Sequence, residues 1–424
     1  MIIPIALQHL TRDAWLLFAT RFIRLFAYGA LSVVLVFYLV GLGLTASQTG
    51  MLLTATLVGD TLVSLYLTTR ADRIGRRRML IVGAALMAAA GVAFAITTNV
   101  WLLILAGTIG VISPSGGEVG PFLPIEQAAL SHVVSGRART NVFAWYALTG
   151  SLATAFGSLT AGLLTRRLQD TAAMTPVGSY RAVVVVYAAL GLLLALLFSR
   201  ISAAAEASSA GEKVKFQATL AHLSGLGPSR DVVLKLSGLF ALDSFGGGFV
   251  LQSFAAYWFH LRFGVNPETL GGIFFAANIL AGVSALVASR LASRWGLLNT
   301  MVVTHLPSNI LLILVPLMPN LSAAVVVLLV RFSISQMDVP ARQSYVMAVV
   351  RPDERSAAAG VTGVARTLGA AVSPMLVGLL FARPSLVNAP FFIAGTLKTA
   401  YDLLLYRAFS AVRPPDEPPL DAKA

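Results

Sequence analysis

No cysteine occurs among the 424 residues, which excludes disulfides, thiolate metal sites and a cysteine nucleophile. Charge is scarce as well: Asp, Glu, Lys and Arg make up 12% of the chain, about half the share in a soluble globular domain. Acidic residues are the scarcer sign, 18 against 31 Lys and Arg. The phosphate-cradling pattern Gly-x-x-x-x-Gly-Lys-Ser/Thr is missing, so the chain is not expected to draw its energy from ATP. The five histidines, His9, His132, His222, His260 and His305, have no metal-ligand spacing, and no nucleophile and base stand near each other. Neither a metal nor another cofactor is expected, and the chain does not read as an enzyme.

What fills the sequence is apolar: 57% of residues are hydrophobic and the mean hydropathy is +0.80, the composition of an integral membrane protein. A net charge of +13 would suggest nucleic acid for a soluble chain. Here the basic residues lie in short connections between apolar segments, where cytoplasmic retention and attraction to anionic lipid explain them. The lipid bilayer is the expected partner, and nucleic acid is not.

Twelve apolar segments follow one another, at about 15–40, 48–68, 79–97, 100–132, 140–164, 182–200, 232–259, 268–289, 298–317, 321–349, 356–381 and 389–409, most close to the roughly 20 residues that a membrane-spanning helix needs. The fourth and tenth are long for one span, so a tilt, a kink or a cytoplasmic extension is expected there. A stretch at 201–231, rich in Ala, Ser and Gly, separates an amino-terminal six-helix bundle (1–200) from a carboxy-terminal one (232–410), and 411–424 forms a tail. The amino terminus, with Arg12, Asp13, Arg21 and Arg24, reads as a retained first span and not a removed leader. The turn at 69–79 carries Arg70, Arg73, Arg76, Arg77 and Arg78. Short arginine-rich loops stay in the cytoplasm, which places both termini there too.

The two halves repeat each other. Pro124-Ile-Glu126-Gln127 lies 216 positions before Pro340-Ala-Arg342-Gln343, and Arg139 stands at the same offset from Arg355. Two parallel repeats joined by a linker are the layout of secondary transporters with a substrate site between the halves.

The turn Ala71-Asp72-Arg73-Ile74-Gly75-Arg76-Arg77 resembles the signature loop of the major facilitator superfamily, and the resemblance extends over the whole twelve-span layout. Thr68 stands where the family pattern has glycine. The resemblance implies an all-α integral membrane protein with twelve transmembrane helices in two pseudo-symmetric six-helix bundles, which transports a small molecule by alternating access. It also implies a cytoplasmic gate formed by Asp72, Arg73, Gly75 and Arg76. Asp72 would meet the positive end of the eleventh span near Ser356, a contact of roughly 0.3–1 kcal/mol. Gly150, Gly157 and Gly162, with Ser158 in place of proline, resemble the antiporter motif of drug-efflux branches. A seam for close helix packing would produce the same glycines.

Charges inside spans are costly and usually mark a pathway. The acidic candidates for proton coupling or substrate binding are Asp60, Glu118, Glu126 and Asp243, because a desolvated carboxylate gains proton affinity. Glu118 stands first, in Ser113-Pro-Ser-Gly-Gly-Glu-Val-Gly-Pro121, where the prolines and glycines should break the helix beside a cavity or other protein. Arg331, Arg342 and Arg366, with Gln127 and Gln343, are the substrate or gate candidates. Arg342 at the repeat position of Glu126 suggests a salt bridge between them, the alternative being that both snorkel to the interface. Arg21 and Arg24 are expected to snorkel, and Trp145 and Tyr146 to anchor the interface. One or two of the seventh-span aromatics Phe245, Phe249, Phe254, Tyr257 and Trp258 are expected to touch a ligand.

Together these residues point to a monomeric inner-membrane transporter that exports a small toxic compound, a drug or metalloid, in exchange for protons. An anion carrier using the arginines is the alternative, and a receptor that binds without translocating is the alternative of another class.

Overall fold

The computed structural model describes residues 10–134, 136–202, 205–206, 227–351 and 354–411, without the side chains of 72, 132–133, 136–141, 289 and 356. The described residues form fifteen α-helices: α1 (Arg12–Gly41), α2 (Ala46–Ile74), α3 (Arg76–Ile96), α4 (Val100–Ile109), α5 (Phe122–Val133), α6 (Gly136–Asp170), α7 (Pro176–Phe198), α8 (Arg230–Gly248), α9 (Gln252–Phe263), α10 (Pro267–Trp295), α11 (Leu297–Leu314), α12 (Leu321–Phe332), α13 (Asp338–Val349), α14 (Arg355–Phe381) and α15 (Ala389–Phe409).

Nine helical stretches among the described residues are long and apolar enough to cross a membrane. The other three expected spans are present in altered form. The fourth is broken into α4 and α5, the tenth into α12 and α13, and the twelfth, α15, carries Lys398, Asp402 and Arg407. The seventh is also interrupted, between α8 and α9. The repeat survives in these details: α13 starts and ends 216 residues after α5, and α10 and α11 each start 221 residues after α2 and α3.

Packing divides the chain into one unit of Met1–Lys213 with Leu251–Ile279 and a second of Val214–Val250 with Leu280–Ala424. The first unit is built around α1, buried along most of its length, with α6 and α7 packed against it. A Cβ added to Gly157 would stand 2.0 Å from the Phe26 carbonyl oxygen, and one on Gly29 2.2 Å from that of Thr154. Only glycine lets α1 and α6 approach so closely. The second unit has the same seam between α8 and α14, where a Cβ on Gly369 would lie 2.4 Å from the Ala241 carbonyl and one on Gly248 2.6 Å from that of Ala370. Its core gathers Leu236, Phe240, Met301, Tyr345, Tyr401 and Phe409.

Residues 110–121, between α4 and α5, have no regular structure. Non-helical backbone at membrane depth must find partners inside the protein, and it does. Asp60 accepts from Gly120 N at 2.5 Å, Thr154 Oγ1 donates to Gly116 O at 3.1 Å, Ser253 N donates to Pro114 O at 3.1 Å, and the Tyr187 hydroxyl donates to Val111 O. Gly116 and Gly120 take φ of 70° and 80°, angles that disfavour side chains with a Cβ.

Candidate functional site: two buried charge clusters

In the first unit, four charges from three stretches of chain meet beside the broken fourth span. Arg24 of α1 forks onto Glu126 of α5, with Nη1 2.7 Å from Oε1 and Nη2 2.9 Å from Oε2. The same Nη2 lies 3.0 Å from Glu118 Oε2, and Arg21 Nη1 lies 2.5 Å from Glu118 Oε1. Tyr146 of α6 donates to Glu126 Oε2 at 2.6 Å. Two guanidiniums thus face two carboxylates, and Arg24 and Glu126 are fully buried. Such a balanced set lowers the penalty of charge in a low-dielectric interior because each charge faces one of opposite sign.

Two expectations are corrected here. Arg21 and Arg24 do not snorkel: they are 6% and 0% exposed and their heads point into the protein, because Glu118 and Glu126 offer partners that the interface would otherwise supply. Tyr146 is not an interfacial anchor but a buried hydrogen-bond donor, 1% exposed. Trp145 beside it is exposed. Glu118, the first of the acidic candidates, is ion-paired to Arg21 and Arg24.

The second unit builds its cluster from four helices. Asp243 of α8 accepts from Lys398 Nζ of α15 at 2.5 Å through Oδ1 and from Arg342 Nη1 of α13 at 3.0 Å through Oδ2. Arg342 Nη1 is also 3.4 Å from Asp338 Oδ2 one turn earlier on α13. His305 of α11 has Nδ1 2.8 Å from Asp402 Oδ1, with Nε2 3.5 Å from Lys398 Nζ and 3.7 Å from Asp243 Oδ1. Asn309, one turn further on α11, donates to Asp402 Oδ2 at 2.8 Å. All seven side chains are buried.

Arg331 of α12 and Arg366 of α14 are half-buried. Neither has a carboxylate partner among the described residues, and the Nε of each is buried without a hydrogen bond. The Arg331 guanidinium carbon lies 5.2 Å from the centroid of the Phe332 ring.

Glu126 and Arg342 each find partners inside their own unit. Gln127 and Gln343, their neighbours in sequence, are exposed and take no part in either cluster. Asp60 is buried, holds Gly120 N and has no cationic partner among the described residues. Of the seventh-span aromatics, Phe249, Phe254 and Trp258 are packed in the interior, and Tyr257 packs edge-on against Phe37 at 5.5 Å. Gly157 is consumed by the α1–α6 seam, Gly150 faces Arg21, and Gly162 abuts the Pro267 carbonyl.

At the signature turn, Gly75 has φ 115°, Arg73 is exposed and Arg76 is buried, donating to Ala128 O at 3.3 Å and Ala205 O at 3.4 Å. The Asp72 and Ser356 side chains lie outside the described residues. Glu206, from the start of the linker, accepts from Arg76 N at 2.6 Å and Arg77 N at 3.1 Å. It caps the α3 amino terminus, where a carboxylate is favoured.

His305, Lys398, Asp402 and Asn309 were missing from the sequence candidates. Their signal was present: pairs four residues apart on one face of an apolar segment, His305 with Asn309 and Lys398 with Asp402. His305 lacks metal-ligand spacing, and its signal is a polar side chain inside an apolar segment.

Residues 17–374 match the model of the Major Facilitator Superfamily, and the chain belongs to that superfamily of membrane transporters. An uncharacterized membrane protein of Saccharomyces cerevisiae, YJR124C, is 30% identical, the match covering 95% of each chain. Among solved structures, the nucleoside transporter NupG superposes with a TM-score of 0.76 at 13% identity, over 94% of this chain and 100% of that one. A bacterial homolog of the human lysosomal transporter Spinster gives 0.70 at 15% identity, over 94% and 95%. The human organic anion transporter MFSD10 gives 0.65 at 16% identity, over 93% and 99%. These structural likenesses are of fold. Together they make the chain a multi-pass membrane protein with the major facilitator architecture.

Proposed function

We propose that the chain is a proton-coupled secondary transporter whose proton is taken up by the His305–Asp402 pair of the second unit. Histidine is the side chain that ordinarily changes charge between pH 5 and 8. The observation that carries the proposal is its setting: His305 is buried, with a carboxylate at 2.8 Å on one ring nitrogen and both Lys398 and Asp243 within 4 Å of the other. A proton arriving there lets Asp402 and Asp243 share the new charge with the cations of α13 and α15. A ligand or gate that shifts any one of these helices then changes the affinity for the proton, which is what coupling requires.

Glu118 is less suited to that task because protonating it would strand Arg21 and weaken the hold on Arg24. Asp60, without a cation, is the second candidate. Of the antiporter-like glycines, Gly157 is accounted for by helix packing.

The test is transport by the purified chain in liposomes loaded with a pH-sensitive dye, under imposed gradients of a nucleoside, small organic anions and a lipophilic cation. A solute-dependent pH change is expected, lost in His305→Gln and retained in Glu118→Gln. Solute movement with no pH change would refute proton coupling. A pH change indifferent to His305 and abolished by Asp60→Asn would move the proton site to the first unit.

A further inference from the structure

The start of the linker lies on the signature turn. Besides the two amides that Glu206 caps, the side chains of the turn hold the residues just before it: Arg76 Nη1 donates to Ala205 O and Arg77 Nη1 to Ile201 O, each at 3.4 Å. Asp13, buried in the first turn of α1, accepts from Ser202 N at 3.1 Å and from the Ser202 hydroxyl. Ala205 N donates to Ser202 O at 3.3 Å, so the piece held by α1 and the piece held by α3 are tied to each other. Beneath these polar ties Ile201 and Ala205 are buried, 3% and 2% exposed. Gly75 takes its φ of 115° just before the two capped amides, an angle that disfavours residues with a Cβ.

The other end of the linker is fastened likewise, within the second unit. Glu354 accepts from Gly227 N at 2.9 Å and from Ser229 N at 3.1 Å, and Ser229 Oγ accepts from Arg351 N at 3.2 Å. The two fastenings differ in depth. Glu354 and Ser229 are buried, whereas Glu206 is half-buried and Ser202 and Arg77 are exposed. Segments with few buried apolar contacts and water-exposed hydrogen bonds are those that open while the rest of a protein stays folded. The end on the signature turn is therefore the one built to let go.

We infer that Ile201, Ser202, Ala205 and Glu206 form a releasable strap that sets the shape of the signature turn, so that the turn rearranges only when the strap lifts. Gly75 and Arg76, expected in a gate, then serve to dock the linker of their own unit. Asp13 and Glu206 are positioning residues, acting on the turn through the strap. Proton coupling plays no part in the strap or in its test, so the two readings can fail separately.

The lack of native cysteine makes the test direct. Ala205→Cys and, as a control in the core of the second unit, Ala358→Cys each give the full chain a single thiol, and labelling by a polyethylene-glycol maleimide is timed in phosphatidylcholine nanodiscs. Both alanines are buried, 2% and 0% exposed, so a thiol at either reacts only when its surroundings open. Ala205→Cys should react the faster of the two; equal rates would mean that this segment leaves only by unfolding, and would overturn the strap. Adding Glu206→Ala should speed labelling of Ala205→Cys about tenfold or more, the loss expected for a hydrogen bond to a charged group, and Glu206→Gln, which keeps one accepting oxygen, should speed it less. Asp13→Ala should speed it too, although Asp13 holds Ser202 and not the turn. No change in Asp13→Ala would reduce Glu206 to a helix cap and overturn the strap. So would an equal rise at Ala358→Cys, which reports loosening of the whole fold. Once labelled, the strap cannot dock again, and hydrogen exchange at the Arg76 and Arg77 amides should quicken about tenfold; exchange indifferent to labelling would overturn the dependence of the turn on the strap.

Discussion

Glu126 and Arg342 occupy the same place in the two repeats, on α5 and α13, and carry opposite charge. Each is answered by the opposite sign from the first helix of its own half, Glu126 by Arg24 of α1 and Arg342 by Asp243 of α8. What the two halves share is the pair, not the sign. A membrane interior penalises an unpaired charge so heavily that a change of sign on one helix needs a matching change on the other. Beyond that shared pair the halves diverge. The first cluster closes with two cations on two carboxylates, and the second sets Arg342 and Lys398 against three carboxylates, with His305 among them.

Four measurements would break or sharpen that comparison. The largest effect is expected from Arg24→Ala, which leaves the buried Glu126 without a cation while Glu118 keeps Arg21: unfolding should become easier by roughly 3–5 kcal/mol, read as a lower midpoint in chemical denaturation. Exchanging the signs, Arg24→Glu with Glu126→Arg, should restore part of that loss, and its failure to do so would count against interchangeable signs. Asp243→Asn should cost about as much at most, since Lys398 keeps His305 nearby and Arg342 keeps Asp338; it should also abolish solute-dependent proton movement in liposomes.

Next come the glycine seams, where the halves agree. Gly157→Leu and Gly369→Leu each force a side chain against facing backbone and should each cost about 1–3 kcal/mol, with similar drops in melting temperature. A large effect in only one half would show that the seams are not equivalent. The smallest effect belongs to Arg166→Ala, which removes the exposed pair with Glu268. A change of roughly 1 kcal/mol or less is expected, and it should shrink further in high salt.

Much of this was legible beforehand. The twelve segments follow from hydropathy and length, and the break in the fourth from Pro114, Pro121 and the glycines between them. The break in the tenth was announced only as excess length, for Ser333 to Met337 hold no proline or glycine. Asp243 and Arg342 stood out as charges in apolar runs, but their contact did not, since they lie on different helices 99 residues apart. Arg24 was misjudged for a related reason: near the start of a span, arginine reads as an interface residue until a carboxylate such as Glu126 is found beside it. His305 and Asp402, 97 residues apart, gave no joint signal at all.

By itself the sequence determined that this protein lives in a membrane, as helices, in two related halves. Those properties depend on apolar runs, turn residues and repeats, which are local or self-referential along the chain. Only the tertiary structure decided which charges neutralise each other and which are left over. Pairing depends on distances of a few ångströms between helices far apart in sequence, and in a low-dielectric interior those distances separate a structural salt bridge from a cation that still lacks its anion.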